Sequence, residues 1–129
     1  MKLTIQFPHP DRALSPNGQV PLTKQGAIRM NYKKVALKRA TRNAAYLKAL
    51  KAMDYMPNRH FAARKFDVVW KYKGRKPDLD NIVARMKPLI DGCCQAFGID
   101  DRDLELGKVD RMHTLTDAGT VLLIFDTEL

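Results

Sequence analysis

Between residues 64 and 97 the apolar spacing changes period once, and that change restricts the fold more than any other feature of the chain. The run R-K-F-D-V-V-W-K-Y places Phe66, Val68, Trp70 and Tyr72 at every second position, the pattern of a strand that buries one face. Trp70 on that face reads as a core residue. Gly74 and Pro77 then punctuate a turn. Beyond it Ile82, Met86, Leu89, Ile90, Cys93 and Phe97 recur at helical spacing until Gly98, which suits the residue just past a helix end. A helix is therefore expected over residues 81–97. Pro88 lies inside it, so either the helix kinks there or its main part starts at Lys87 with Pro88 in the first turn, where proline is tolerated.

The flanking elements follow from the same reasoning. Leu3, Ile5 and Phe7 alternate with polar residues and predict a strand that ends at Pro8 and Pro10. Residues 8–26 carry Pro, Asn and Gly throughout and read as a long loop. Residues 30–53 contain neither Gly nor Pro and predict the longest helix. Its expected apolar stripe is Tyr32, Val35, Ala36, Ala40, Ala44, Leu47 and Leu50 or Lys51, with the alanines close against a sheet. Two more strands are expected over residues 105–114 and 119–126. The second, T-V-L-L-I-F-D, is almost wholly apolar and should be central, and T-D-A-G between them suits a hairpin turn. The order β-(long loop)-α-β-α-β-β is α+β: a mixed or antiparallel sheet of about four strands packed against two main helices, in one domain over residues 1–129.

With 129 residues the chain can bury a core of its own. No apolar run is long enough to span a bilayer, and the opening M-K-L-T-I-Q-F-P-H-P is too short and polar for a signal peptide, so a cytoplasmic protein with no membrane partner is expected. Cys93 and Cys94 are adjacent and have no third cysteine to pair with; they read as small apolar residues in a reducing compartment. No Ser or Cys triad pattern and no glycine-rich phosphate loop accompanies His9, His60 and His113, and nothing points to a small-molecule cofactor.

The formal net charge is +9, unevenly spread. Residues 24–76 hold 16 Lys/Arg against two acids, whereas residues 77–129 hold five against eleven. A basic half suggests a polyanionic partner such as nucleic acid. The acids of the other half gather in two knots, P-D-L-D-N at residues 77–81 and I-D-D-R-D at residues 99–103. An extended path through D-L-D would project Asp78 and Asp80 to the same side. Two carboxylates so close repel unless a proton or cation lies between them, and Mg2+ is held by one or two carboxylates with water and substrate phosphate. The alternative is electrostatic support for a helix N-terminus, where Asp and Asn make good caps. Metal-assisted phosphoryl chemistry needs carboxylates for cations and a nearby Lys or Arg for transition-state charge; Lys87, between the knots, is positioned in sequence to supply it.

The stretch P-D-L-D-N…K-P-L-I-D…G-I-D-D, residues 77–101, with L-S-P-N at residues 14–17, resembles the RusA family of Holliday junction resolvases, many of them encoded by phages. The order of strands and helices fits as well. The resemblance implies a RusA-like fold and a homodimer that binds branched, four-way DNA junctions and cuts two strands using Mg2+, one or two ions per subunit, with Mn2+ as a substitute. It implies Asp78, Asp80 and Asp101 as metal ligands and catalytic residues, and Lys87, partnered by Asp91, as the catalytic cation. It further implies DNA contacts from Arg75, Lys76, Lys73, Asn17, Lys33 and Lys34. Two departures stand out: about three extra residues separate D-L-D-N from Lys87, and Pro77 precedes the first aspartate where some members carry arginine, which leaves that contact to Arg75 or Lys76. The rival expectations are a non-catalytic basic nucleic-acid-binding protein and a nuclease that prefers forks or flaps.

Overall fold

The computed structural model describes residues 1–15, 23–56 and 60–129. Its elements are β1 (Lys2–Pro8), a 3-10 turn at Arg12–Leu14, α1 (Lys24–Ala52), β2 (Lys65–Tyr72), α2 (Leu79–Phe97), a second 3-10 turn at Asp101–Asp103, β3 (Glu105–His113) and β4 (Thr120–Asp126). The class is α+β, with two long helices and one four-stranded mixed sheet in the order β1-β4-β2-β3.

β4 is interior and antiparallel to both neighbours, β1 and β2. The registers line up Leu3–Phe125–Phe66, Ile5–Leu123–Val68 and Phe7–Val121–Trp70 across three strands, and all but Leu3 are buried. These rows form one face of the core, and Ile82, Met86, Leu89, Cys93 and Phe97 of α2 form the other. β2 and β3 are parallel, a pairing that needs a crossover, and α2 is that crossover.

The expected hairpin at T-D-A-G does not form between paired strands, because β2 lies between β3 and β4. The link instead passes over the end of β2. The Thr114 amide donates to the Tyr72 carbonyl at 2.9 Å and the Gly119 amide to the Lys71 carbonyl at 3.1 Å, while Lys71 pairs with Asp117. A local turn pattern shows where the chain bends but not which strand it returns beside.

Both helices start earlier than their apolar spacing indicates. α1 begins at Lys24, where the Thr23 hydroxyl accepts from the Gly26 amide at 3.0 Å, a side-chain cap of the usual kind. α2 runs through Pro88, which is buried within it. Gly98 ends α2 in the left-handed region at φ 76°, where a Cβ would be strained.

The expected stripe on α1 is wrong. Tyr32 is 75% exposed, Val35 54% and Leu47 65%, and only Ala45 and Ala49 of the helix are buried. The contact seam lies on the neighbouring face and in the C-terminal half, mainly against α2, with a smaller contact to β1 where Lys48 lies over the Phe7 ring. Gly92 of α2 fixes how close the helices come: a Cβ there would sit 2.3 Å from the Arg42 carbonyl oxygen and 2.8 Å from the Ala45 Cβ. The N-terminal half of α1 therefore runs clear of the core and carries its lysines toward a cleft.

Candidate nucleic-acid interface

Four chain segments converge on a cleft of about 610 Å³. The first 3-10 turn, started by the Asp11 carboxylate accepting from the Ala13 amide at 2.8 Å, contributes Arg12. α1 contributes Lys33 and Lys34, the turn after β2 contributes Arg75 and Lys76, and the first two turns of α2 contribute Asp78, Asn81 and Arg85. Six cationic side chains thus meet a single carboxylate. Among the lining residues, the Ser15 hydroxyl donates to the Asn81 side-chain oxygen at 2.8 Å and ties the first turn to α2.

Arg85 is the most constrained of the six cations. Its Nε donates to the Pro10 carbonyl at 3.0 Å, and a terminal N–H reaches the same oxygen. Its guanidinium carbon lies 5.0 Å from the Trp70 ring centroid, within cation–π range. Burial lowers its pKa, and the Arg12 charge adds to the effect. Trp70 itself is 1% exposed, so it is core, as expected. His9 stacks on it at 3.9 Å, and its Nε2 lies 2.9 Å from the Thr120 carbonyl oxygen. Burial lowers the His9 pKa as well. The core ring thus backs an arginine that faces the cleft.

A second cavity, about 730 Å³, lies between α1 and α2 and shares Ser15 and Lys34 with the first. Lys38, Arg39, Arg42 and Lys87 line it, opposed by Asp91. The two adjoin at Ser15 and Lys34, and the charged residues lining both are mainly cations.

The expected site residues do not all come together. Lys33, Lys34, Arg75, Lys76 and Asp78 line one cavity together. Lys73 is exposed in the same turn but lines neither cavity, and Asn17 lies outside the described residues. Arg12 and Arg85 line the cleft without having been singled out in the sequence. Arg85 falls in the stretch I-V-A-R-M that separates D-L-D-N from Lys87, and its contact with Pro10 spans 75 positions, so no local pattern announces it.

Asp78 takes the N-cap position of α2 with extended backbone, φ −71° and ψ 142°, yet its side chain makes no capping hydrogen bond. Asp80 sits exposed in the first turn. Neither carboxylate has a hydrogen bond or ion pair among the described residues. Capping therefore does not account for Asp78, although Asp80 still complements the helix dipole.

Asp101 lies elsewhere. Lys87 Nζ donates to its carboxylate at 2.9 Å and to Asp91 at 3.2 Å. The hydrogen bond to Asp101 is the main cause of the raised Lys87 pKa. Lys87 and Asp91 are seven and eleven positions beyond Asp80, roughly 10 and 17 Å along the helix at 1.5 Å per residue. Among the described residues no group of three His, Cys, Asp or Glu side chains is arranged to hold a metal. The expected convergence of Asp78, Asp80 and Asp101 on one ion is therefore not present among the described residues: Asp101 sits beside Lys87 and Asp91, further along α2, and the Lys87 ammonium already neutralises it. Asp100 is likewise occupied by Arg102, whose side chain holds its pKa below the usual carboxylate range.

Cys93 and Cys94 are both buried, and burial pushes the Cys94 thiol up to about 12 and Cys93 further; neither supplies a thiolate. No helix among the described residues is long and apolar enough to cross a membrane. No protein-family model matches the chain, and no curated protein matches it. Fold and site together define an α+β protein whose two helices and β2–α2 turn line basic cavities, with Asp78 in one of them and Asp80 two positions further on, neither paired among the described residues.

Proposed function

We propose that the protein is a Mg2+-dependent, structure-specific endodeoxyribonuclease that binds four-way DNA junctions as a homodimer and works in the cytoplasm. The observation that carries this reading is the cleft: six cations from four separate segments line it with Asp78, and Asp80 follows two positions on, in the first turn of α2. Structural ion pairing would not leave so many like charges together, whereas a phosphate backbone neutralises them.

In this reading Arg12, Lys33, Lys34, Arg75, Lys76 and Arg85 hold successive phosphates. Arg85 is already fixed by Pro10 and Trp70, so it loses little side-chain freedom on binding. Because α2 starts at Leu79, the extended path expected through D-L-D stops at Asp78, and the two carboxylates are not projected together by it. Asp78 in the cleft, with Asp80 two positions on, would be the carboxylates offered to Mg2+, which is commonly held by one or two carboxylates with phosphate and water oxygens. Bound there, the cation would supply charge neutralisation and activation of water for phosphodiester hydrolysis. The chain's own part is to orient the backbone, to keep two carboxylates free of internal partners, and to keep the Lys87 ammonium protonated beside the groove.

A second reading, a non-catalytic basic DNA-binding protein, is favoured by one observation: Asp101 is satisfied by Lys87. A cleavage panel separates the two. Four-way junctions, forks, flaps and duplexes are incubated with and without Mg2+. The proposal expects paired incisions in junctions that require Mg2+; binding of all substrates with no incision under any condition supports the rival, and incision of forks or flaps alone corrects the substrate.

A further inference from the structure

The N-terminal half of α1 carries an exposed apolar row that the cleft does not use. Ile28, Tyr32 and Val35 follow at spacings of four and three and are 48%, 75% and 54% exposed. Nothing in residues 24–44 is buried, so this half of the helix has an unpartnered apolar face. The same 21 residues carry seven cations, Lys24, Arg29, Lys33, Lys34, Lys38, Arg39 and Arg42, and no carboxylate; from Lys24 onward the first is Asp54.

That charge selects the occupant. A second copy of α1 laid on this face would bring two acid-free, basic helices together, with repulsion along their length. A polyanion that also offers flat apolar rings satisfies both features at once. Unpaired nucleotides do so: their phosphates suit the cations and their bases stack on an aromatic side chain. A paired duplex suits the cations alone, because its bases are already stacked on each other. The row also adjoins the groove, since Val35 lines the α1–α2 cavity with Lys38, Arg39 and Arg42.

We propose that Tyr32, flanked by Ile28 and Val35, stacks on unpaired bases of a strand whose phosphates enter the α1–α2 groove. The protein thereby distinguishes opened or single-stranded DNA from continuous duplex. This rests on the DNA-binding part of the reading above, but not on catalysis.

The test is fluorescence anisotropy without divalent metal, using a labelled single strand, a splayed fork and a duplex of equal length. Tyr32→Ala is expected to weaken binding to the single strand and the fork at least about fivefold. It should leave duplex affinity and the salt dependence unchanged, since no cation is lost. Tyr32→Phe should bind like wild type. Tyr32 is an exposed side chain, so the variant folds; equal circular dichroism confirms it. Equal affinity of Tyr32→Ala and wild type for every probe overturns the inference while leaving the cleft reading in place. An equal loss on duplex also overturns it. Vesicles of phosphatidylserine and phosphatidylcholine serve as a further arm: wild-type binding to them that Tyr32→Ala abolishes, with single-strand binding intact, assigns the face to a membrane surface and overturns the inference. If wild type binds none of the DNA probes, both readings fall.

Discussion

Gly92→Ala probes the helix crossing on which the groove depends. The added methyl would lie 2.3 Å from the Arg42 carbonyl oxygen, 2.8 Å from the Ala45 Cβ and 3.0 Å from the Tyr46 amide nitrogen. Comfortable contact needs about 3.5 Å, so α1 and α2 must part by about 1 Å. Two of the three obstructing atoms belong to the backbone, and no change of rotamer relieves them. Overpacking of this kind costs about 1–3 kcal/mol. Replacing a helical glycine with alanine returns about 1 kcal/mol of helix propensity, and the displaced seam also loosens Ala49 and Met53, which are fully buried. The net expectation is a loss of about 1–2 kcal/mol. For a domain of this size that lowers Tm by about 4–8 °C, measured by circular dichroism. Because Lys33 and Lys34 reach the cleft from α1, the variant also binds DNA more weakly although no charge is removed. A Tm equal to or above wild type, with unchanged DNA affinity, refutes the close crossing and the idea that it sets the groove.

Other perturbations give separate checks. Arg85→Ala should weaken DNA binding and reduce the slope of log affinity against log salt by about one; an unchanged slope in a salt titration removes Arg85 from the phosphate contacts. Folded His9 holds its proton less tightly than the unfolded chain does, because burial lowers its pKa. Its contribution to stability is complete above the unfolded value of about 6.5 and is lost as pH falls through it toward the lowered folded value. Urea unfolding at pH 7.5 and pH 5 should therefore show a smaller acid-induced loss in His9→Phe than in wild type, and equal losses would contradict the assignment. Lys87→Met removes two exposed ion pairs, to Asp91 and Asp101, so its stability cost should stay near or below about 1 kcal/mol by urea unfolding; a clearly larger loss would make these contacts structural.

Parts of this fold are legible in the residues because burial writes a period into them. β2 shows period two since Phe66, Val68 and Trp70 face the core, and α2 shows helical period since Ile82, Met86, Leu89 and Cys93 do. α1 is legible as a helix but not in its orientation. Half of it meets no core, so Tyr32 and Val35 form a row that no packing contact uses, while the true seam is made of Ala45 and Ala49, residues too small to stand out. The strand order was hidden for another reason: whether β4 returns beside β3 or beyond β2 depends on tertiary pairing, and the same turn residues serve both.

The site divides in the same way. Charge and spacing bring out Asp78, Asp80, Arg75, Lys76, Lys33 and Lys34, and five of these six line one cleft. Arg12 and Arg85 could not be found locally, since their place depends on the chain after β1 folding over α2. The placement of Asp101 was also beyond the pattern, because the chain after α2 brings it back beside Lys87 and Asp91, about two to three turns along the helix from Asp80.

The central claim is that Asp78 and Asp80 are left unpaired for chemistry on DNA held in the basic cleft. Single-turnover incision of a labelled four-way junction by Asp80→Asn, with anisotropy on the same samples, tests it most directly. The expected result is affinity equal to or tighter than wild type, because a negative charge near phosphate is gone, with incision lost. Incision by Asp80→Asn at the wild-type rate, or no incision by wild type in Mg2+, would contradict it.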